Sequence, residues 1–178
     1  MKPAIGVMAA AMCLCCVAAA QSNPVMDSVR QIMQRQQKNL VAAAEEMPAN
    51  KYSFRPTSQQ MTYGTLVMHV AESNNFLCSR IAGVEAPKQG KNELKPTDAK
   101  EKLVSALKSS FDYCQSSLAK VNDSALGTQV KLWGGREMPK AGAAIGLTDD
   151  WADHYSQAAM YLRLNGMLPP SAKKKGGE

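Results

Sequence analysis

Apolar residues recur every three to four positions in four stretches of this chain, and polar stretches bearing Pro and Gly divide them. That spacing predicts four amphipathic helices and an all-α fold, a four-helix bundle with a long crossover connection. The first helix is expected from Pro24 to Met47, with Val29, Ile32, Met33, Gln36, Leu40, Ala43 and Met47 on one face and Pro48 ending it. The second should run from Gln60 to Ala82 on a stripe of Leu66, Val70, Leu77 and Ile81, with Gly83 as its stop. A linker from Val84 to Pro96 then leads to Thr97, a good N-cap for a third helix ending near Val121. Leu103, Leu107, Phe111, Cys114, Leu118 and Val121 form its stripe. The fourth is expected from Ala144 to Asn165 on Leu147, Trp151, Ala158 and Leu162, stopped by Gly166 and Pro169-Pro170.

The connection from Asn122 to Gly142 is long for a compact bundle. Residues Thr128 to Trp133 alternate polar and apolar, Gly134-Gly135 can turn, and Arg136 to Met138 can pair back, which fits a short hairpin or an ordered crossover lid.

Composition changes the picture at both ends. Lys2, the apolar run Ala4 to Ala20 and the small residues Ala18-Ala19-Ala20 read as a secretory signal peptide over residues 1–20. It is too short for a stable membrane span, so the chain is expected to be exported to the periplasm or the extracellular space. Residues 21–170 would form one bundle domain and residues 171–178, with Lys173, Lys174 and Lys175, a disordered basic tail. The net charge of +6 falls by one with the leader and is otherwise scattered. No basic face interleaved with aromatics emerges, so nucleic acid is not an expected partner. Of five cysteines, the leader removes three. Cys78 and Cys114 remain, either as a disulfide closing a loop of about 36 residues and contributing roughly 2–4 kcal/mol, or as two buried thiols.

Candidate chemistry is sparse, because the chain has only two histidines. Asp150 and His154 stand four apart, on adjacent turns of one helix face beside Leu147, Trp151 and Ala158, where an unpaired charge is costly. His69 can reach them across the bundle, giving two histidines and a carboxylate. That set suits zinc with an open position, and also iron(II) or nickel(II). The alternative is a surface Asp150–His154 pair and a partly buried His69, and spacing alone favours it. Asp149 and Asp153 should face solvent, and Glu45-Glu46 reads as a solvated edge. There is no G-x-S-x-G elbow, P-loop or Rossmann fingerprint, and helical phase puts Cys78 nearly opposite His69.

Three segments match a family: Pro48-Ala-Asn-Lys-Tyr-Ser-Phe-Arg-Pro56, Thr62-Tyr-Gly-Thr-Leu-Val-Met-His-Val-Ala71, and Asp153-His-Tyr-Ser-Gln157 with Tyr161 to Pro170. Together they resemble the DinB-like superfamily, in its secreted branch. The resemblance implies a four-helix bundle holding a divalent metal on three histidines, one from the second helix and two from an H-x-x-x-H on the fourth. His69 matches the first and His154 the last. Asp150 replaces the middle one, so it is either a direct ligand or the mark of a lost site. For the metal, zinc and nickel are the first candidates and iron and manganese the next. The resemblance implies a metal-dependent hydrolase or transferase acting on an unknown small molecule, through a metal that activates a bound thiol or water, and a homodimer. Export argues against a cytoplasmic thiol. The alternative is a non-catalytic helical binding or stress-related module with a degenerate site.

Overall fold

The stripes read from the sequence become one core. In the computed structural model, which describes residues 22–88 and 93–173, the helices are α1 (Pro24–Glu46), α2 (Tyr63–Ala82), α3 (Lys100–Leu118) and α4 (Lys140–Leu164). Val29, Met33, Gln36, Leu40, Ala43 and Met47 are buried, as are all four stripe residues of α2, all six of the third stripe and all four of α4. Trp151, Tyr63, Tyr161 and Phe111 are the largest fully buried side chains, followed by Met26, Met33 and Met47. Removing so much apolar surface from water is what holds the four helices together.

The crossover is a hairpin. Strands β1 (Gln129–Lys131) and β2 (Glu137–Pro139) pair antiparallel, with Val130 opposite Met138 and Lys131 opposite Glu137. Gly134 and Gly135 turn the chain at positive φ, where a side chain would be strained.

Some boundaries differ from expectation, each for a local reason. Thr62 caps α2 by accepting from the Thr65 N–H at 3.1 Å, so the helix begins after Gln60. Thr97 does not cap α3. Asp98 closes a turn by accepting from the Lys95 N–H and from Lys102 Nζ, and Ala99 takes the cap position without a side-chain bond. α3 stops at Leu118, and Arg30 of α1 donates to the carbonyls of Leu118 and Val121. In the opposite direction, the Asp123 carboxylate accepts from the N–H groups of Val25 and Met26 at the start of α1, where the helix dipole favours an anion. α4 begins at Lys140, directly after β2, rather than at Ala144.

The expected tail is ordered at its start. Residues Pro170–Ala172 form a 3-10 turn packed on α1, and Lys173 Nζ lies 2.7 Å from Glu46 Oε1. Ser171 N–H donates to the Tyr155 hydroxyl. The rest of that segment and the leader read over residues 1–20 lie outside the described residues. Among the described residues, no helix is long and apolar enough to cross a membrane.

Aromatic packing holds the segment Pro48 to Pro56 in place. The Tyr52 and Tyr63 rings meet edge to face at 5.3 Å, and Tyr161 touches both Phe54 and Tyr63 at 6.0 Å. Gly64 has its N–H on the Tyr52 carbonyl, and a Cβ there would lie 2.3 Å from the Pro96 oxygen. Only glycine allows that approach of loop to helix.

Cys78 and Cys114 are joined in a disulfide between α2 and α3, with Cα atoms 5.3 Å apart, which decides between the two sequence readings. Closing a 36-residue span removes denatured-state entropy. The Cys78→Ser/Cys114→Ser double variant should therefore lose roughly 2–4 kcal/mol of stability. Urea unfolding with and without reductant measures it: the wild-type midpoint should fall with reductant and the variant's should not.

Candidate metal centre

α2 and α4 run antiparallel, and three contacts set their register. Tyr161 Oη donates to the Met61 carbonyl at 2.8 Å, Trp151 Nε1 donates to Asn74 Oδ1 at 2.6 Å, and Lys140 lies beside Gly83. Between the first two contacts, His69 comes level with Asp150 and His154. The three residues that sequence spacing singled out therefore meet, with one ligand atom from each within 4.8 Å of the others.

The individual geometry defines what each can do. Asp150 Oδ1 lies 3.9 Å from His69 Nε2 and 3.5 Å from His154 Nδ1. His154 Nδ1 is closer still to the Asp150 backbone carbonyl, at 2.7 Å. A carbonyl only accepts, so Nδ1 carries the proton and Nε2 keeps its lone pair, as a metal-binding histidine oriented by its own helix would. The two imidazole rings are 4.7 Å apart between centroids. Ser73 Oγ sits 3.3 Å from His69 Nε2.

The residues fit a divalent cation. Asp150 Oδ2 is buried and has no hydrogen-bond partner among the described residues, an arrangement that costs free energy until something cationic or protic satisfies it. Four-coordinate zinc with ligands near 2.1 Å wants donor atoms about 3.4 Å apart. Ligand atoms now up to 4.8 Å apart have to draw together to bind an ion, and His69 has room to move. Its side chain is 43% exposed, against 19% for Asp150 and 8% for His154, so the site opens to solvent on the α2 side. The short carboxylate still reaches, because α4 presents Asp150 on the edge that borders α2.

Other candidates disperse. Asp149 and Asp153 lie away from the centre, and Asp153 accepts from Gln157. Glu45 pairs with Lys108 and Glu46 with Lys173, as a charged edge would. The Cys78 thiol is consumed in the disulfide.

Two residues that the sequence reading passed over support the centre. Asn74 accepts from Trp151 and donates through Nδ2 to Ser110 Oγ at 2.9 Å, and Ser110 donates to the Leu107 carbonyl at 2.8 Å. The side chains of Asn74, Ser110 and Trp151 are all buried. This chain of bonds ties α4 to α2 and α3 one residue away from Asp150. Its only trace in the sequence is a polar Ser73-Asn74-Asn75 triplet interrupting an apolar stripe.

Burial pushes the Asp150 carboxyl above its ordinary value of 3.8, His154 and His69 pull it back, and Asp153 and Asp149 add to the rise. In metal-free protein the native state thus holds this proton more tightly than the unfolded chain. Stability present below the ordinary aspartate value is lost as pH rises through the raised one. With chelator at pH 7, Asp150→Asn should melt at or above the wild-type temperature, and the gap should close as pH falls toward 3.8. Adding zinc should reverse the order. Thermal unfolding across pH, with chelator and then zinc, checks both halves.

Comparison with known proteins matches this architecture. A DinB-like protein from Bacillus subtilis superposes with a TM-score of 0.65 at 15% identity, over 80% of this chain and 96% of that one. Another from Bacillus cereus gives 0.65 at 14%, over 83% and 97%. A mycothiol-dependent maleylpyruvate isomerase gives 0.60 at 15% over 74% of this chain, which spans 59% of that larger protein. At these identities the likeness is one of fold. No curated protein matches the chain. The sequence profile of the DinB superfamily matches residues 32–158, a stretch containing α2, α3, the hairpin and all three centre residues. The chain belongs to the DinB superfamily.

Proposed function

We propose that this protein is an exported metalloenzyme, holding one divalent cation on His69, Asp150 and His154 and acting on a small molecule as a hydrolase or transferase. Zinc and nickel suit the donor set first, iron and manganese next. The observation that carries the reading is an Asp150 carboxylate whose Oδ1 lies 3.9 and 3.5 Å from two imidazoles while its buried Oδ2 has no partner among the described residues. His154 anchors the set from the protein interior, its proton held by the Asp150 carbonyl. His69 stands at the solvent edge and leaves an approach for substrate. When bound, the cation lowers the pKa of a coordinated water or thiol, so that a nucleophile exists at neutral pH.

Two features favour export. The apolar N-terminal run ends in small residues, and the Cys78–Cys114 bridge suits an oxidising compartment. The isomerase of similar fold depends on mycothiol, a small thiol. An exported chain would lack a cytoplasmic thiol pool, which favours hydrolysis here. A non-catalytic binding module is the competing reading, motivated by the carboxylate at position 150.

Protein prepared without an affinity tag, stripped with chelator and dialysed against each metal, should retain about one equivalent of zinc or nickel per chain. His69→Ala and His154→Ala should each weaken uptake by roughly a hundredfold or more, while Asp150→His should keep or tighten it. Uptake of none of zinc, nickel, iron or manganese would end the enzyme reading in favour of the module. Mass spectrometry of secreted protein should find a mature N-terminus at Gln21, and an intact leader on protein recovered from the cytoplasm would refute export.

A further inference from the structure

Four serines are buried among the described residues, and three of them direct the hydroxyl proton to their own helix. Ser79 donates to the Phe76 carbonyl, Ser110 to that of Leu107 and Ser117 to that of Tyr113. A buried helical hydroxyl is ordinarily satisfied in this way. Ser73, only 2% exposed, is not. Its Oγ lies 3.3 Å from Nε2 of His69, one turn back on the same face of α2, and has no other hydrogen-bond partner among the described residues.

The register of the two helices gives this contact its meaning. The Met61–Tyr161 and Asn74–Trp151 bonds bring Ser73 to the level of Asp150 and Trp151, as they bring His69 to that of His154. The candidate centre therefore has four corners. His69 and Ser73 stand one turn apart on α2, and His154 and Asp150 stand one turn apart on α4.

Two donor atoms on one zinc ion, each at about 2.1 Å, stand about 3.4 Å from one another. Ser73 Oγ and His69 Nε2 already have such a separation. Nε2 is also the His69 nitrogen that faces the Asp150 carboxylate. A cation that takes its lone pair thus removes the partner of the Ser73 hydroxyl. So deeply buried, that hydroxyl has no bulk water to turn to, and the ion itself offers a place for an oxygen lone pair.

We propose that Ser73 Oγ is a fourth protein contact on the cation, coordinating through an oxygen lone pair and keeping its proton. The proposal rests on the metal reading above and extends its donor set to two imidazoles, a carboxylate and a hydroxyl. The neutral hydroxyl holds the ion less strongly than the carboxylate does. It completes the resting site yet gives way when another ligand arrives from the solvent side past His69.

Cobalt(II) titration of the full, tag-free protein, stripped beforehand with chelator and followed by absorption, tests the contact. Wild type should take up about one equivalent per chain. Ser73→Ala should weaken uptake roughly tenfold or more. Ser73→Cys should create an intense near-ultraviolet thiolate-to-cobalt band that wild type lacks, because a coordinating thiol loses its proton. A serine with a purely structural role would produce no such band. Ser79→Cys, a buried position more than two turns further along α2, is the control and should also produce none. Melting temperatures in chelator should show that the variants fold. A cobalt-loaded Ser73→Cys protein without the band, or the same band in Ser79→Cys, would overturn the contact. Uptake by Ser73→Ala as tight as in wild type, or tighter, would make the hydroxyl a competitor for Nε2 and overturn it equally. Each of these leaves the metal reading standing, whereas a wild-type protein that takes up no cobalt overturns both.

Discussion

The hydrogen bond from the Trp151 indole to Asn74 is the constraint on which the geometry of this protein turns. Apolar stripes pull helices together but do not fix how far one slides along another, since neighbouring ridges offer similar packing one turn apart. A buried indole N–H and a buried amide have no such freedom, because each left unpartnered costs about 1–3 kcal/mol. Asn74 also donates to Ser110, so a single side chain sets α4, α2 and α3 in one register. The Cys78–Cys114 bridge holds the α2–α3 pair one turn further on. His69, Asp150 and His154 meet in the alignment that these contacts hold.

Around that register the helix ends are completed in trans. Asp123 supplies the start of α1 with two hydrogen bonds, and Arg30 supplies the end of α3. Each charged group sits where the helix dipole favours it. The bundle is thereby closed at one end by reciprocal caps and at the other by the Tyr52, Tyr63, Tyr161 and Phe54 rings. The candidate centre lies between these ends, on a face where a carboxylate loses most of its water but the partner histidine of α2 does not. A carboxylate so placed is poorly solvated, and a cation bound there would satisfy it and stabilise the fold.

Much of this is legible in the chain, and the illegible parts share a cause. Helical stripes follow from a local period of 3.6, so Leu103, Leu107, Phe111, Cys114 and Leu118 announce their face without help. The hairpin is legible for the same reason: alternation and Gly134-Gly135 are local signals. Thr97 has the chemistry of a cap and does not act as one, because its neighbour Asp98 closes a turn with Lys95 and Lys102. Asn74 shows only as part of a polar triplet in an apolar stripe, with no sign of what it positions, since its partners, Trp151 and Ser110, are remote in sequence. Trp133 reads as a hairpin residue and stacks on Phe76 of another element.

Taken alone, the sequence determined the elements, their apolar faces and the small set of residues able to bind a cation, because periodicity, capping and composition act over a few residues. It also carried the segments by which the family could be recognised. Whether Cys78 meets Cys114 and whether Asp150 lies beside both histidines were decided only by the tertiary structure. Those questions depend on the rotation and axial shift of one helix against another. A few buried hydrogen bonds between residues distant in the chain set those two quantities, and no local pattern encodes them.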